Sequence, residues 1–175
     1  MKELFVQYRK WIVAAVAILV IWKLAFGGNE GLTKEEFEEG LKTISDGRIV
    51  IADSKFINEK KNSLYMAEWN GFTITAKVED NRLVLPYGIL TYPVGQLDEI
   101  SLGQFRQLAA DLSGLADSKL SVDERNSLID NELNFNHFIM NGGDYSTSKN
   151  GLNYLFSGAT NPNVVSTFLV KEEGD

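Results

Sequence analysis

The sequence predicts an α+β protein in which an N-terminal transmembrane helix precedes one domain with an antiparallel β-meander and about three helices. Three observations support this prediction. An uncharged apolar run lies near the N-terminus, strand-like runs flank the dipeptide Asn70-Gly71, and capping boxes begin at Thr33 and Ser121. The chain has 175 residues, which is enough for one domain of ordinary size and a targeting segment.

Residues 11–27 are expected to form a membrane anchor. The run that starts at Trp11 would be about 24 Å long as a helix, against a hydrocarbon core of about 30 Å. Lys23 can extend toward the headgroups, and Trp11 and Trp22 suit the two interfaces. The alternative is a cleaved signal peptide with the same apolar core. Lys23 and the bulky Trp22 stand where a signal peptide would have a short neutral region, which favours the anchor.

Charge predicts how the anchor is oriented. Arg9 and Lys10 lie in a basic tail, residues 1–10, directly before the apolar run. Residues 1–27 carry a net charge of +3 and the rest of the chain −10, within a total of −7. The positive-inside bias therefore places the N-terminus in the cytoplasm and the C-terminal domain outside, in the periplasm or beyond. A eukaryotic secreted domain of this size more often has disulfides, so the absence of cysteine favours a bacterial envelope. Together with the single apolar run, this predicts a single-pass protein of the inner membrane.

The outer part of the chain begins with a spacer, residues 28–32, and ends in an acidic tail, residues 171–175. Residues 33–170 between them are expected to form the α+β domain. Its first helix should begin after Thr33, bury one apolar stripe and stop at Gly47. A short β-branched strand is expected at Arg48–Ile51.

The Asn70-Gly71 dipeptide predicts a hairpin whose second strand buries alternate residues from Phe72 onward. The next strand should begin at Arg82. Pro86 and Pro93 favour an edge position for the stretch that follows, because proline lacks the amide proton that a central strand needs. This stretch is a candidate partner-binding edge that would accept a strand from another protein. Its candidate contact residues are Leu85, Tyr87, Ile89 and Tyr92.

The C-terminal half predicts two helices and then strands. The first helix should begin at Asp98 or Ser101 and end near Leu115, and the second should run from Ser121 to Leu133. Turn residues then separate three apolar runs, which are expected to provide two or three strands. These runs are Phe138–Met140, Leu152–Phe156 and Val164–Val170.

The sequence offers no convincing catalytic or metal-binding motif, and no cofactor is expected. His137 is the single histidine, and its nearest acidic neighbours, Asp130 and Glu132, lack a recognised ligand spacing. Residues 144–150 place an oxygen-bearing side chain at every second position, as calcium loops do. The glycine and glutamate that such a loop requires are missing, so a polar turn is expected instead. No serine lies in a nucleophile elbow.

Acidic pairs are the remaining route to catalysis. Asp98-Glu99 and Asp123-Glu124 lie at expected helix starts, where carboxylates interact with the helix dipole. Glu68 and Glu79 lie on the predicted strand pair, and nothing in the pattern favours either residue as an acid or a nucleophile.

These observations favour a non-enzymatic, membrane-anchored interaction or accessory domain of an envelope complex. Its partners would be the lipid bilayer and other envelope proteins. Nucleic acid is disfavoured because the outer domain is acidic. The first alternative is a domain that binds a ligand or glycan, suggested by the many asparagines and aromatic residues between 126 and 163. The second is a carboxylate-dependent envelope hydrolase. The oligomeric state is left open.

Overall fold

Seven antiparallel strands and four α-helices form one α+β domain in the computed structural model, which describes residues 31–59, 62–158 and 164–174. The helices are α1 Lys34–Ile44, α2 Glu99–Ala116, α3 Val122–Ser127 and α4 Phe135–Asn141. The strands are β1 Asp53–Glu59, β2 Asn62–Trp69, β3 Phe72–Glu79, β4 Arg82–Thr91, β5 Gly143–Lys149, β6 Leu152–Gly158 and β7 Ser166–Glu172. They lie in the order β1-β2-β3-β4-β7-β6-β5, so the predicted α+β meander is confirmed.

The helices pack on one face of the sheet, which we call the inner face. Phe37 of α1 contacts Tyr65 of β2 with ring centroids 5.4 Å apart. Phe105 of α2 and Phe138 of α4 both contact Phe156 of β6, at 5.6 and 5.0 Å. All five rings are fully buried. Truncating one of them to alanine would cost about 3–5 kcal/mol, so this aromatic layer joins the helices to both halves of the sheet.

Local signals in the N-terminal half are confirmed. The Thr33 hydroxyl accepts a hydrogen bond from the Glu36 amide, and the Glu36 carboxylate accepts one from the Thr33 amide. The hairpin turn also forms where it was predicted, because Asn70 and Gly71 have φ angles of 50° and 83°. These angles place both residues in the left-handed region that such a two-residue turn requires.

The strand predicted at Arg48–Ile51 is wrong. Ile49 is buried, but its amide donates to the Ser45 hydroxyl at 2.9 Å instead of to a neighbouring strand. Val50 is 55% exposed, so this segment is an irregular connection that buries one side chain. The strand begins later, at Asp53, in a polar stretch without the apolar alternation that predicts strands.

The predicted partner-binding edge is also wrong, because β4 pairs with β3 on one side and β7 on the other. Leu85 and Pro86 are accommodated in a bulge where the β3 register shifts between Ala76 and Lys77. A bulge tolerates proline inside a sheet, which the edge argument did not allow for. The other predicted contact residues have different surroundings. Tyr87 and Ile89 are buried in the core, and Tyr92 is 66% exposed just beyond the strand.

The C-terminal half has three strands, but one lies where none was predicted. The run Phe138–Met140 belongs to helix α4, so that strand prediction is wrong. Residues 144–150, expected to be a polar turn, form most of β5, and only Asn150 with Gly151 makes the turn. The run from Leu152 is confirmed as β6. The capping box at Ser121 is confirmed, although the helix it starts changes into a π-helical turn at Leu128–Glu132.

The folded domain extends beyond the predicted boundaries at both ends. Leu32, assigned to the spacer, exchanges backbone hydrogen bonds of 2.8 and 2.6 Å with Leu83 at the start of β4. At the other end, Lys171 and Glu172 belong to β7. The residues of the predicted anchor lie outside the described part of the chain, and they include Arg9, Lys10, Trp11, Trp22 and Lys23. Within the described ranges, no helix is both long and apolar enough to cross a bilayer.

Candidate interaction surface

The side of the sheet opposite the helices, which we call the outer face, is the most extensive candidate surface. Strand residues alternate between the two faces, and strand pairing aligns the outward-facing residues into rows that cross the sheet. Three rows cover most of this face, and we name each one by its charge: the middle row, the acidic row and the basic row.

The middle row carries no charge from β2 to β5. Its members are Met66, Thr75, Gly88, Leu169, Leu155 and Ser146, and Lys55 of β1 extends it at the sheet edge. Side chains close over Gly88, because a Cβ atom there would lie 2.8 Å from the Thr75 hydroxyl oxygen and 3.5 Å from a Leu169 methyl carbon. The centre of the outer face is therefore a partly apolar stripe.

The acidic row lies on one side of the middle row. Its members are Asp53, Glu68, Thr73, Leu90, Thr167, Ser157 and Asp144. Leu90 near its centre is 38% exposed. The Ser157 hydroxyl donates to Asp144 at 2.6 Å. The row contains three carboxylates and no base.

The basic row lies on the other side of the middle row. Its members are Ile57, Leu64, Lys77, Val84, Lys171, Asn153 and Ser148. It contains two lysines and no acid, although the Lys77 ammonium lies 2.6 Å from Glu79 one step farther along β3. The outer face therefore changes from acidic through uncharged to basic along the direction of the strands.

Partly buried polar groups between α1 and the first two strands have a structural role. Glu38 accepts hydrogen bonds from the hydroxyls of Ser54 at 2.7 Å and Tyr65 at 2.8 Å. Burial, reinforced by Glu38, raises the pKa of the Tyr65 hydroxyl far above its usual value. The hydroxyl therefore stays protonated and acts as a donor that joins α1 to the first two strands.

A buried charge cluster joins α2 to α3. The Asp111 carboxylate is 3.6 Å from Arg125 and 3.6 Å from Arg48, and Gln107 donates to it at 3.2 Å. Burial raises the pKa of Asp111, and the hydrogen bond and the two arginines oppose that rise. Because Asp111 is 2% exposed and Arg125 9%, this is an interhelical pair inside the domain and not an accessible site.

The metal-site candidates of the sequence do not converge. His137 Nδ1 lies 2.5 Å from the Tyr145 hydroxyl, Asp130 forms an ion pair with Arg106, and Glu132 lies 3.1 Å from Lys149. Each group therefore has its own partner on the surface. The described parts of the chain contain no group of three histidine or acidic side chains arranged to hold a metal ion.

The acidic pairs do not form a two-carboxylate site. Hydrogen bonds to Ser101 lower the pKa of Asp98, and hydrogen bonds to Ser121 lower the pKa of Glu124, so both are helix caps. Glu68 and Glu79 both lie on the outer face, but strand pairing separates them by about 20 Å. Glycoside cleavage needs a separation of about 5–9.5 Å.

An open cleft of about 640 Å³ lies beside the start of α1. Its lining comes from α1, the first three strands and the β3–β4 turn: Thr33, Lys34, Glu35, Phe56, Ser63, Val78, Asp80 and Asn81. Phe56, 45% exposed, is its largest apolar surface. The volume of the cleft is ordinary for a ligand site. Its lining is partly charged, because it includes Lys34, Glu35 and Asp80.

Sequence reasoning missed the outer face as a surface. The alternation of Thr73, Thr75 and Lys77 did predict a solvent-facing side of β3. Which residues share a row depends on which strands are neighbours. Because β4 was predicted to be an edge strand, its pairing with β7 was not expected.

Comparisons of the chain with protein-family models, with curated proteins and with solved structures find no match.

Proposed function

We propose that this chain is a membrane-anchored, non-enzymatic interaction domain of a bacterial envelope, and that it binds a protein partner through the outer face. The observation that carries this proposal is the uncharged middle row, which crosses six strands and is covered by none of the four described helices. An antiparallel sheet can leave one face in water, and such faces are then commonly polar. Here Met66, Leu155 and Leu169 occupy the centre of that face.

The energetics of the outer face suit reversible association. Met66, Leu155 and Leu169 are half-buried, and Leu90 is 38% exposed. Each such side chain that a partner covers would contribute on the order of 1 kcal/mol, because part of its area is already removed from water. Several together, with hydroxyl groups around them, are typical of a non-obligate interface.

The attachment point of the domain supports tethering to a membrane. The bridge between Leu32 and Leu83 holds the chain against the start of β4, at the centre of the sheet. From residue 27 to Gly31 an extended chain spans at most about 14 Å. An anchor at residues 11–27 would therefore confine the domain near the bilayer and raise its effective concentration toward other membrane proteins.

The test has two parts, both made on the full chain in the membranes of an expressing bacterium. Protease added to spheroplasts should digest the C-terminal domain, and the N-terminal fragment should stay in the membrane fraction. A photo-crosslinking residue at Leu155 should then give defined protein adducts. The matched control is Val122, which is 60% exposed on α3 in the helical layer. A chain recovered from the cytosol, or adducts no stronger at 155 than at 122, would refute the proposal.

One observation favours a second function, binding of a small ligand or glycan. The cleft beside α1 offers the half-exposed ring of Phe56, and aromatic rings commonly stack against apolar faces of ligands. If this function is correct, a panel of sugars and small envelope metabolites will contain a compound that raises the melting temperature, and Phe56→Ala will remove that shift. A carboxylate hydrolase is not proposed, because the acidic pairs considered above are caps or lie far apart.

A further inference from the structure

We infer that the partner of the outer face is a second copy of this chain, packed face to face with its strands antiparallel to those of the first. This inference rests on the proposed function, since it assigns the partner of the same surface. A symmetric dimer buries the same patch on both subunits, so that patch must be complementary to itself.

The charge pattern of the outer face meets this requirement in one orientation. A two-fold axis that runs across the strands, along the middle row, places the acidic row of each copy over the basic row of the other. Glu68 then faces Leu64 of the second copy and is one strand away from its Lys77. Two like-charged rows never face each other, and like charges in contact would oppose association.

The other in-plane orientation is unfavourable. An axis that runs along the strands, through β4, exchanges the two halves of the sheet. Lys77 on β3 would then face Lys171 on β7, and Asp53 on β1 would face Asp144 on β5. The charges therefore select the axis across the strands, although both orientations would bring apolar side chains of the middle rows together.

The middle row would pack against its own copy in this arrangement. Met66 would face Met66, Leu155 would face Leu155, and Leu169 would face Leu169. At the sheet edge Lys55 would also face its own copy, but Asp53 of the opposite chain lies one step along the strand and the edge is open to water. Lys55 and Lys77 therefore each have a carboxylate from the other copy one step away, whereas Lys171 faces Thr167 and lies two strands from Asp144.

The size of the surface is sufficient for a dimer in a membrane. Seven strands are about 29 Å wide, and the three rows span about 20 Å, so each copy would bury roughly 600 Å². The total, about 1,200 Å², is at the lower limit of specific interfaces. Confinement to the bilayer raises the local concentration and compensates for the modest area.

The attachment point is compatible with both anchors entering one membrane. A dimer of single-pass proteins has its axis along the membrane normal, so each sheet would stand on an edge strand. From β4 to either edge is about 14 Å, and the extended chain between residue 27 and Gly31 reaches about the same distance.

Single-cysteine variants of the full chain in lipid nanodiscs test the arrangement, because the natural chain has no cysteine. A bis-maleimide that spans about 10 Å, the usual separation of packed sheets, should crosslink Met66→Cys to itself and Leu155→Cys to itself. Val122→Cys is the matched exposed control. The inference is overturned if neither Met66→Cys nor Leu155→Cys crosslinks more strongly than this control. Crosslinking that appears only when the Met66→Cys and Leu155→Cys chains are mixed would also overturn it, because that result indicates the axis along the strands.

A charge exchange provides an independent test. In the Leu155→Cys chain, Glu68→Lys should weaken association by about tenfold, and adding Lys77→Glu should restore it. Within one chain these two residues lie about 13 Å apart along the sheet, so restoration reports a contact between copies. Unchanged crosslinking with Glu68→Lys would contradict the axis, and circular dichroism would verify that each variant is folded. If the chain is membrane-bound and outward-facing but does not crosslink to itself, only this inference is refuted. If the chain is cytosolic, the proposed function itself is refuted.

Discussion

Replacing Gly114 with alanine should destabilise the domain, against the usual preference of helices for alanine. Gly114 lies in α2 beneath the side chain of Arg125 from α3. A Cβ atom at this position would lie 2.5 Å from both Cδ and Nη1 of Arg125 and 3.0 Å from its Cζ. Arg125 has little room to move, because it is 9% exposed and 3.6 Å from the buried carboxylate of Asp111.

The magnitude follows from two opposing effects. In a helix interior, alanine is more favourable than glycine by about 0.8–1 kcal/mol. Forcing extra volume into a packed site costs about 1–3 kcal/mol, and separating Arg125 from Asp111 adds to that cost. We therefore expect Gly114→Ala to lower the free energy of unfolding by about 1–2 kcal/mol.

The same helix offers a matched control. A Cβ atom at Gly103 would meet no other atom within 4 Å, so Gly103→Ala should stabilise by about 0.5–1 kcal/mol. Urea unfolding followed by circular dichroism measures both variants. In an Arg125→Ala background, Gly114→Ala should stabilise as Gly103→Ala does, because the clash has been removed. Equal shifts of the two single variants in the same direction would show that Arg125 does not lie over Gly114.

Three further predictions concern turns and caps. Gly71→Ala should destabilise by about 1 kcal/mol without changing the strand register, because its φ of 83° is unfavourable for a residue with a Cβ atom, and thermal unfolding would measure this. Ser121→Ala should cost about 1 kcal/mol by removing the cap that accepts from Glu124, and a melting temperature within 1 °C of the wild type would contradict it. Hydrogen bonds to Ser101 lower the pKa of Asp98. The ionised carboxylate therefore stabilises the folded state at pH values above the usual pKa of Asp98, near 3.8, and this stabilisation is lost as the pH falls through the lowered pKa. Asp98→Asn should flatten that acid limb of the stability curve, and an unchanged pH dependence would exclude the effect.

Sequence reasoning succeeded where the determinants lie within a few residues of one another. The caps at Thr33 and Ser121 satisfy amides three residues away, and the turn at Asn70 depends on the backbone angles of two residues. It failed where a local pattern was ambiguous. Phe138–Met140 is a short apolar run without its own period, and packing against the sheet decided that it is helical.

The candidate surface could not be derived in the same way. Its middle row exists because Gly88 of β4 lies opposite Leu169 of β7, roughly 80 residues later in the chain. No periodicity within either strand identifies that neighbour. Proline at residue 86 suggested an edge, and only a bulge against β3 shows how a central strand accommodates it.

The sequence by itself determined the acidic character of the domain, the helix starts at Thr33 and Ser121, the Asn70-Gly71 turn and the expectation of an anchor, because each depends on composition or on interactions between near neighbours. Only the tertiary structure decided that the two halves join through β4 and β7 and that the four described helices lie on one face. The physical reason is that burial of the aromatic layer selects among many strand pairings of similar local energy. That choice also determines which outward residues form the acidic, uncharged and basic rows.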